Sequence, residues 1–390
     1  MPAWQLPDQI SDILPAEAAR LERLRRRLLD LYQSYGYALV QPPMLEHLDS
    51  LMIDQARDLD LRTFKVVDQA SGRLLGLRAD ITPQAARLDA HQIQNKGVTR
   101  LCYAGSVLHA QPAGLLSSRE PVQMGCELFG HDGLEADLEI QELALASLDA
   151  AGIQKVRLDL SHRGIFLALR DRDSALAACE NEVLAALQSK DRVGLAQQVK
   201  GLSTESAKAL TALIDLYGPA SGADNVIDAA RRSLPKLAPI TEALDRLQSV
   251  ANSAMFTEHP QCVLTVDFAD LRGYRYHNGV MFSIYCEGLP NAVVRGGRYD
   301  GAGKVFGRAR AATGFSLELR ELLEITNFDV EPSDPGIAAP WQDDAGLRQA
   351  IAALRREGRV VIRLPDAEFS SWTGQRMTLQ SGRWVVAQAN

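Results

Sequence analysis

No two cysteines in this chain have metal-ligand or redox spacing. The five stand at 102, 126, 179, 262 and 286, an odd count without a CxxC pair, which speaks for reduced thiols and against a disulfide framework or a metal site. Also missing is any apolar run near the ~18 residues that a membrane span needs. The N-terminus MPAWQLPDQISDILP has neither the basic start nor the apolar core of a secretory signal, so a cytoplasmic protein without a membrane partner is expected. Positive charge is not in excess. Lys and Arg number 42 against 49 Asp and Glu, a net charge of −7, which offers no general footprint for nucleic acid, and a nucleic-acid partner is not expected. Gly296-Gly297 followed by Arg298-Tyr299-Asp300-Gly301 matches neither a P-loop nor the dinucleotide GxGxxG. No cofactor is expected.

What is present is a chain of 390 residues, 46% hydrophobic and 23% charged, long enough for two or more domains. Leu21, Leu24, Leu28 and Leu31 recur at three and four between arginines, which predicts an amphipathic helix over 15–35. A short strand at 37–40 ends at Pro42-Pro43. Strands at 63–67 and 73–77 flank a turn, and Thr82-Pro83 reads as a helix start with Thr82 as cap. Strands follow at 100–107, 121–129 and 156–160, with a helix at 135–150. From 163 to 255 the pattern becomes helical throughout, as at 175–188 and 205–216, and predicts an all-helical insertion. The sheet resumes at 262–268. The segment 328–344, with its prolines and acids, reads as a linker, and the ~50 residues beyond it are short for an independently stable domain.

The candidate site residues gather in a few segments. The stretch VDFADLRGYRYHNGVMFSI, 266–284, reads as strand, tight polar turn and strand. Arg272, Tyr274, Arg275, Tyr276, His277 and Asn278 there supply donors and aromatic faces for a small planar or anionic ligand; a solvated hairpin loop is the alternative. Asp80 sits just outside a helix start, where it either caps or, with Thr82, points into a pocket for an ammonium or imidazole. Gln123, Gly125 and Glu127 share one face of their strand, a ligand platform with room over Gly125, or else an exposed sheet face. Arg298 and Tyr299 are expected over the same pocket.

LRADITPQ, QMGCELFG, LRGYRYHNG and RGGRYDG together resemble the catalytic core of histidyl-tRNA synthetase, over about residues 5–325. The resemblance implies an α+β fold of class II aminoacyl-tRNA synthetase type. A six-stranded antiparallel sheet flanked by helices would occupy 1–162 and 256–325, with the helical insertion at 163–255 and a short C-terminal α/β segment at 326–390. That segment would stand in place of a full anticodon-binding domain. It also implies a histidine-like ligand held by Asp80, Thr82, Gln123, Glu127, Arg272, Tyr276, His277 and Tyr299, with His277 where the synthetases commonly carry Tyr. The departures lie at the nucleotide end. Val107-Leu108-His109-Ala110 lacks the arginine that grips the ATP α-phosphate, and in Leu317-Glu318-Leu319-Arg320-Glu321 a glutamate fills each of the glycine and arginine places.

With those losses the chain resembles the regulatory-subunit family of ATP phosphoribosyltransferase, synthetase paralogues without chemistry of their own. This resemblance implies activation of a short-form catalytic subunit in a hetero-octamer of four plus four chains, at the first step of histidine biosynthesis. It further implies a part in histidine feedback and self-association as a dimer through the Pro42 region. A working synthetase, a tRNA or histidine sensor, and an inert scaffold are the alternatives.

Overall fold

The computed structural model describes residues 5–51, 57–112, 117–272, 276–326 and 336–388. The chain divides into two compact units, one up to residue 328 and one from 329. Within 266–284, Tyr274 and Arg275 lie outside the described residues.

The first unit is organised on a nine-stranded sheet. Its centre is six antiparallel strands in the spatial order Thr99–Ser106, Val122–Phe129, Ala312–Glu318, Val294–Arg298, Val280–Cys286 and Val156–His162. Ala38–Leu39 joins one edge in parallel, and Cys262–Asp267 joins the other in parallel with Tyr217–Pro219 outside it. One face is apolar, because alternation turns Cys102, Met124, Cys126, Leu158, Leu160, Phe282, Phe315 and Leu317 the same way. The helices Pro15–Ser34 and Leu134–Ala150 supply buried side chains to this face. Leu24, Leu28 and Tyr32 are fully buried at a four-residue repeat, and Tyr32 meets Phe315 edge-on at 6.1 Å. The arginines of the first helix lie off this stripe, where Arg25 and Arg26 both donate to Glu22.

The opening expectation of a hairpin at 266–284 is corrected by the pairing. Cys262–Asp267 and Val280–Cys286 do not touch as strands: Val156–His162 lies between them, parallel to the first and antiparallel to the second. Alternation tells which face a residue takes but not which strand sits beside it, so the two strands are not the arms of one hairpin. Helices fill most of 163–255, including Arg163–Arg172, Thr204–Asp215 and Ala238–Ala251. The expected helix at 175–188 is broken at Cys179 into Ser174–Ala178 and Glu180–Gln188. The all-helical reading also misses Tyr217–Pro219, which extends the main sheet.

A separate three-stranded antiparallel sheet has Leu74–Leu77 between Leu45–His47 and Phe64–Val67. Buried Arg78 follows it, donating to the carbonyls of Pro42 at 2.7 Å and Ser106 at 2.9 Å and so tying the proline turn to the main sheet.

In the second unit, Ile337–Pro340 is a central strand where a linker was expected; residues 327–335 of that segment lie outside the described residues. It pairs in parallel with Val361–Leu364 and Gln375–Gln380, and Arg383–Gln388 pairs antiparallel beyond. Leu347 and Ile351 from the helix Ala345–Arg356 close a small core with Ile337, Ala339, Val361 and Met377. The ~50 residues judged too short thus carry a core of their own.

Candidate ligand site

The polar face of the main sheet floors a cavity of about 540 Å³. Strand register fixes the floor as rows. Glu127 pairs with Gly314, Gly314 with Gly297, Gly297 with Met281 and Met281 with Ser161. Two residues along, the row is Tyr103, Gly125, Ser316, Arg295, Ser283 and Asp159. All eight residues expected from the resemblance, Asp80, Thr82, Gln123, Glu127, Arg272, Tyr276, His277 and Tyr299, line this one cavity.

Glu127 is its deepest charge-bearing group, 1% exposed, which rules out an exposed sheet face. Tyr103 Oη donates to Oε1 at 3.0 Å and Tyr299 Oη to Oε2 at 2.5 Å. Burial pushes its pKa up to about 8 although these hydroxyls oppose the shift. Two glycines make this arrangement possible. A Cβ on Gly314 would collide with the Glu127 carboxylate, and one on Gly125 with the Tyr103 hydroxyl. The room over Gly125 therefore holds the Tyr103 phenol and not a ligand, a correction to the sequence reading. Tyr276 stacks on Tyr299 with ring centroids 4.7 Å apart and meets His277 edge-on at 5.6 Å. Its hydroxyl is buried with no hydrogen-bond partner among the described residues, a polar atom for which a ligand is a natural partner.

Asp80 Oδ1 accepts from Gln123 Nε2 at 2.8 Å and from the Thr82 N–H at 3.0 Å. Asp80 thus satisfies a helix-start N–H while also lining the cavity. Thr82 is not the cap: it lies inside the helix Thr82–Arg87, and its hydroxyl pairs with Tyr103 Oη at 3.0 Å. Gln123 is held from its other side, where the Ile81 N–H donates to Oε1 at 2.9 Å. Arg272 stands at the rim, bound through two nitrogens to Asp270 at 2.8 and 3.1 Å and to Tyr285 Oη at 3.0 Å. His277 is anchored through its backbone carbonyl, which accepts from Arg163 Nη1 of the first insertion helix.

Arg298 does not join this set. It alternates onto the opposite face, where it binds buried Asp137 with Nη2 2.8 Å from Oδ1, and Arg246 adds a second contact at 2.8 Å. Arg295 shares the cavity face with Gly297 and Tyr299 instead, a cation the sequence reading passed over although strict alternation back from Tyr299 points to it. Tyr103, Arg62 and Ser283 were passed over as well.

At the nucleotide end, His109 is buried, with Arg62 Nη2 2.8 Å from its ring and the Ala79 carbonyl at 3.1 Å. Burial, aided by Arg62, takes its pKa down to about 4, so this ring is neutral at pH 7. Glu318 caps the helix Leu319–Ile325, accepting from the N–H groups of Arg320, Glu321 and Val122. Glu321 lines the cavity with its pKa raised to about 7 by burial and by Glu318 and Glu324. Arg320 points elsewhere, toward Ser11 and Glu17. This end of the cavity therefore presents carboxyl groups and a neutral imidazole, with one arginine, Arg62, against the ring.

The six-stranded antiparallel platform, the helical insertion and the Glu127–tyrosine cluster define a protein of histidyl-tRNA synthetase fold. The histidyl-tRNA synthetase family model matches residues 9–322, and the model described as ATP phosphoribosyltransferase subunit HisZ C-terminal domain matches residues 334–387. A Bacillus halodurans structure titled as an ATP phosphoribosyltransferase regulatory subunit/histidyl-tRNA synthetase is 25% identical with a TM-score of 0.77, covering 94% of this chain and 93% of that one. The histidyl-tRNA synthetase of a Nostoc species shares the fold at 17% identity and a TM-score of 0.75, over 100% of this chain and 97% of that one. ATP phosphoribosyltransferase regulatory subunits of Ralstonia nicotianae and Burkholderia vietnamiensis are each 52% identical, over 99% of this chain and 98% and 99% of their own lengths. The chain belongs to the family of ATP phosphoribosyltransferase regulatory subunits.

Proposed function

We propose that this chain is a non-catalytic regulatory subunit that joins a short-form ATP phosphoribosyltransferase catalytic subunit, activates it in the first step of histidine biosynthesis, and carries histidine feedback to it. The observation that supports this best is the split character of the cavity. The acceptor and aromatic set for an imidazole or ammonium is assembled around Glu127, whereas the phosphate end presents His109 and Glu321. A polyphosphate there would meet carboxyl groups and a neutral imidazole with one arginine, Arg62, in place of a set of charge-assisted donors.

The assembly in this reading is a hetero-octamer of four catalytic and four regulatory chains, in the cytoplasm. Its regulatory chains pair through the region of Pro42, a reading supported by exposed Leu39, Leu45, Val66, Val67 and Leu74 nearby. Activation is then a coupling free energy between subunits, and any histidine effect on the partner is reciprocal with the partner's effect on histidine affinity.

The test is phosphoribosyl-ATP formation by a short-form catalytic subunit with and without this chain, each with and without histidine. A gain in rate that histidine suppresses is expected. No gain and no co-elution, together with ATP–pyrophosphate exchange by this chain alone, would overturn the proposal in favour of a working synthetase.

A further inference from the structure

Among the described residues three arginines line the cavity, Arg62, Arg272 and Arg295. Arg272 is held by both oxygens of Asp270 and by Tyr285. Arg62 stands off the sheet, on the helix Arg57–Arg62, with Nη2 against His109. Arg295 differs from both. It rises from the floor itself, donates to Ser283 Oγ at 3.3 Å, and forms no ion pair with a carboxylate among the described residues. Burial first, and then the charge of Arg272, disfavour its cationic form, and the opposing pull of Asp270 and Tyr285 does not offset them. A guanidinium kept in such a place gains from an anionic partner.

We propose that Arg295 reads the carboxylate of an α-amino acid whose side chain is held at Glu127, so that the two residues grip opposite ends of one ligand. This rests on the reading of the cavity as a site for a histidine-like ligand. The register supplies the geometry. Glu127 and Arg295 lie two strands and two residues apart on the same face, which is roughly 12 Å between Cα atoms. Both side chains enter the one cavity from that face, so a single small ligand with an imidazole or ammonium at one end and a carboxylate at the other can meet both. Between them, Gly314 leaves room for the Glu127 carboxylate itself and Gly297 for the His277 ring. Ser283 lies beside Arg295 in its row, so its hydroxyl is placed to donate to the second carboxylate oxygen. Glu318, Glu321 and Asp270, which also line the cavity, admit a single negative charge neutralised by its own ammonium far better than they admit a phosphate chain.

The probes are L-histidine and histamine, which differ by the carboxylate alone, titrated calorimetrically into the full chain. The wild type is expected to prefer histidine by roughly 10- to 100-fold, the size of a charge-assisted contact. Arg295→Ala should bring the two ligands to within about threefold by weakening histidine alone, and Arg295→Lys, which keeps the charge without the fork, should fall between. Arg62→Ala is the control and should leave the preference in place. A wild type without preference, an Arg295→Ala protein that keeps it, or an Arg62→Ala protein that loses it would overturn this assignment while leaving the ligand reading intact. Binding of neither probe to the wild type would overturn both.

Discussion

Glu127→Gln should flatten the pH dependence of stability, because the carboxyl it replaces is protonated in the folded chain and ionised in the unfolded one over the neutral range. The folded-state pKa stands at about 8 against 4.5 for the ordinary group. A carboxyl with a raised pKa stabilises the fold only while it can keep its proton, so its contribution declines as pH rises from the unfolded value toward the folded one. At about 1.4 kcal/mol per pH unit, the wild type should lose about 2 kcal/mol between pH 6 and pH 8 through this residue alone. The glutamine variant still accepts from a tyrosine hydroxyl but carries no proton to lose, so that slope should be missing. Urea denaturation midpoints at the two pH values, at one fixed protein concentration because self-association would add to stability, measure the difference. Glu321, raised to about 7, adds to the slope with the same sign in both proteins and cancels in the comparison. Equal slopes for wild type and Glu127→Gln would refute the reasoning, since they would mean that Glu127 is already ionised at pH 6.

Other perturbations follow from single contacts. Asp137→Ala should cost about 3 kcal/mol in a denaturation experiment, the low end for a broken buried pair, because Arg298, 6% exposed, keeps Asp300 and two backbone carbonyls while the contact to Arg246 goes; a loss below about 1 kcal/mol would show that these remaining partners suffice. Gly314→Ala should destabilise by about 1 to 3 kcal/mol through its collision with the Glu127 carboxylate, and it should weaken histidine binding in the same titration used for Arg295. Tyr276→Phe removes a hydroxyl that has no partner among the described residues, so its melting temperature should hold or rise slightly, and a loss beyond about 1 kcal/mol would reveal a bond to that hydroxyl.

The faces of the elements were legible and their neighbours were not. Period-two alternation put Gln123, Gly125 and Glu127 on one side of their strand, and period-four leucines buried the right stripe of the first helix, because both signals are local. Pairing is a non-local choice. Nothing in 262–286 announces that Val156–His162 lies between its two strands, and nothing in Gly125 says that a tyrosine from the adjacent strand fills its space. Arg298 is expected over the pocket because it precedes Tyr299, whereas one residue of alternation sends it to Asp137 on the other face. Proline and acid content hid Ile337–Pro340, whose small side chains pack in a core that composition alone does not describe.

The carboxylates of the cavity are not merely a deleted phosphate site. Glu318 is bound by three backbone N–H groups and Asp270 by the Arg272 fork, so each has a local structural task and neither can turn aside for a polyphosphate without leaving donors unsatisfied. Placing an arginine at 321 would therefore add one cation to a wall still occupied by Glu318, in a cavity whose His109 stays neutral. Under the proposed reading, binding energy in such a site goes into the ground state of a small ligand. Transition-state stabilisation would need charge aimed at a reacting phosphate. A cavity that holds its ligand and leaves it unchanged can influence chemistry elsewhere only through the difference in affinity between two states of the assembly.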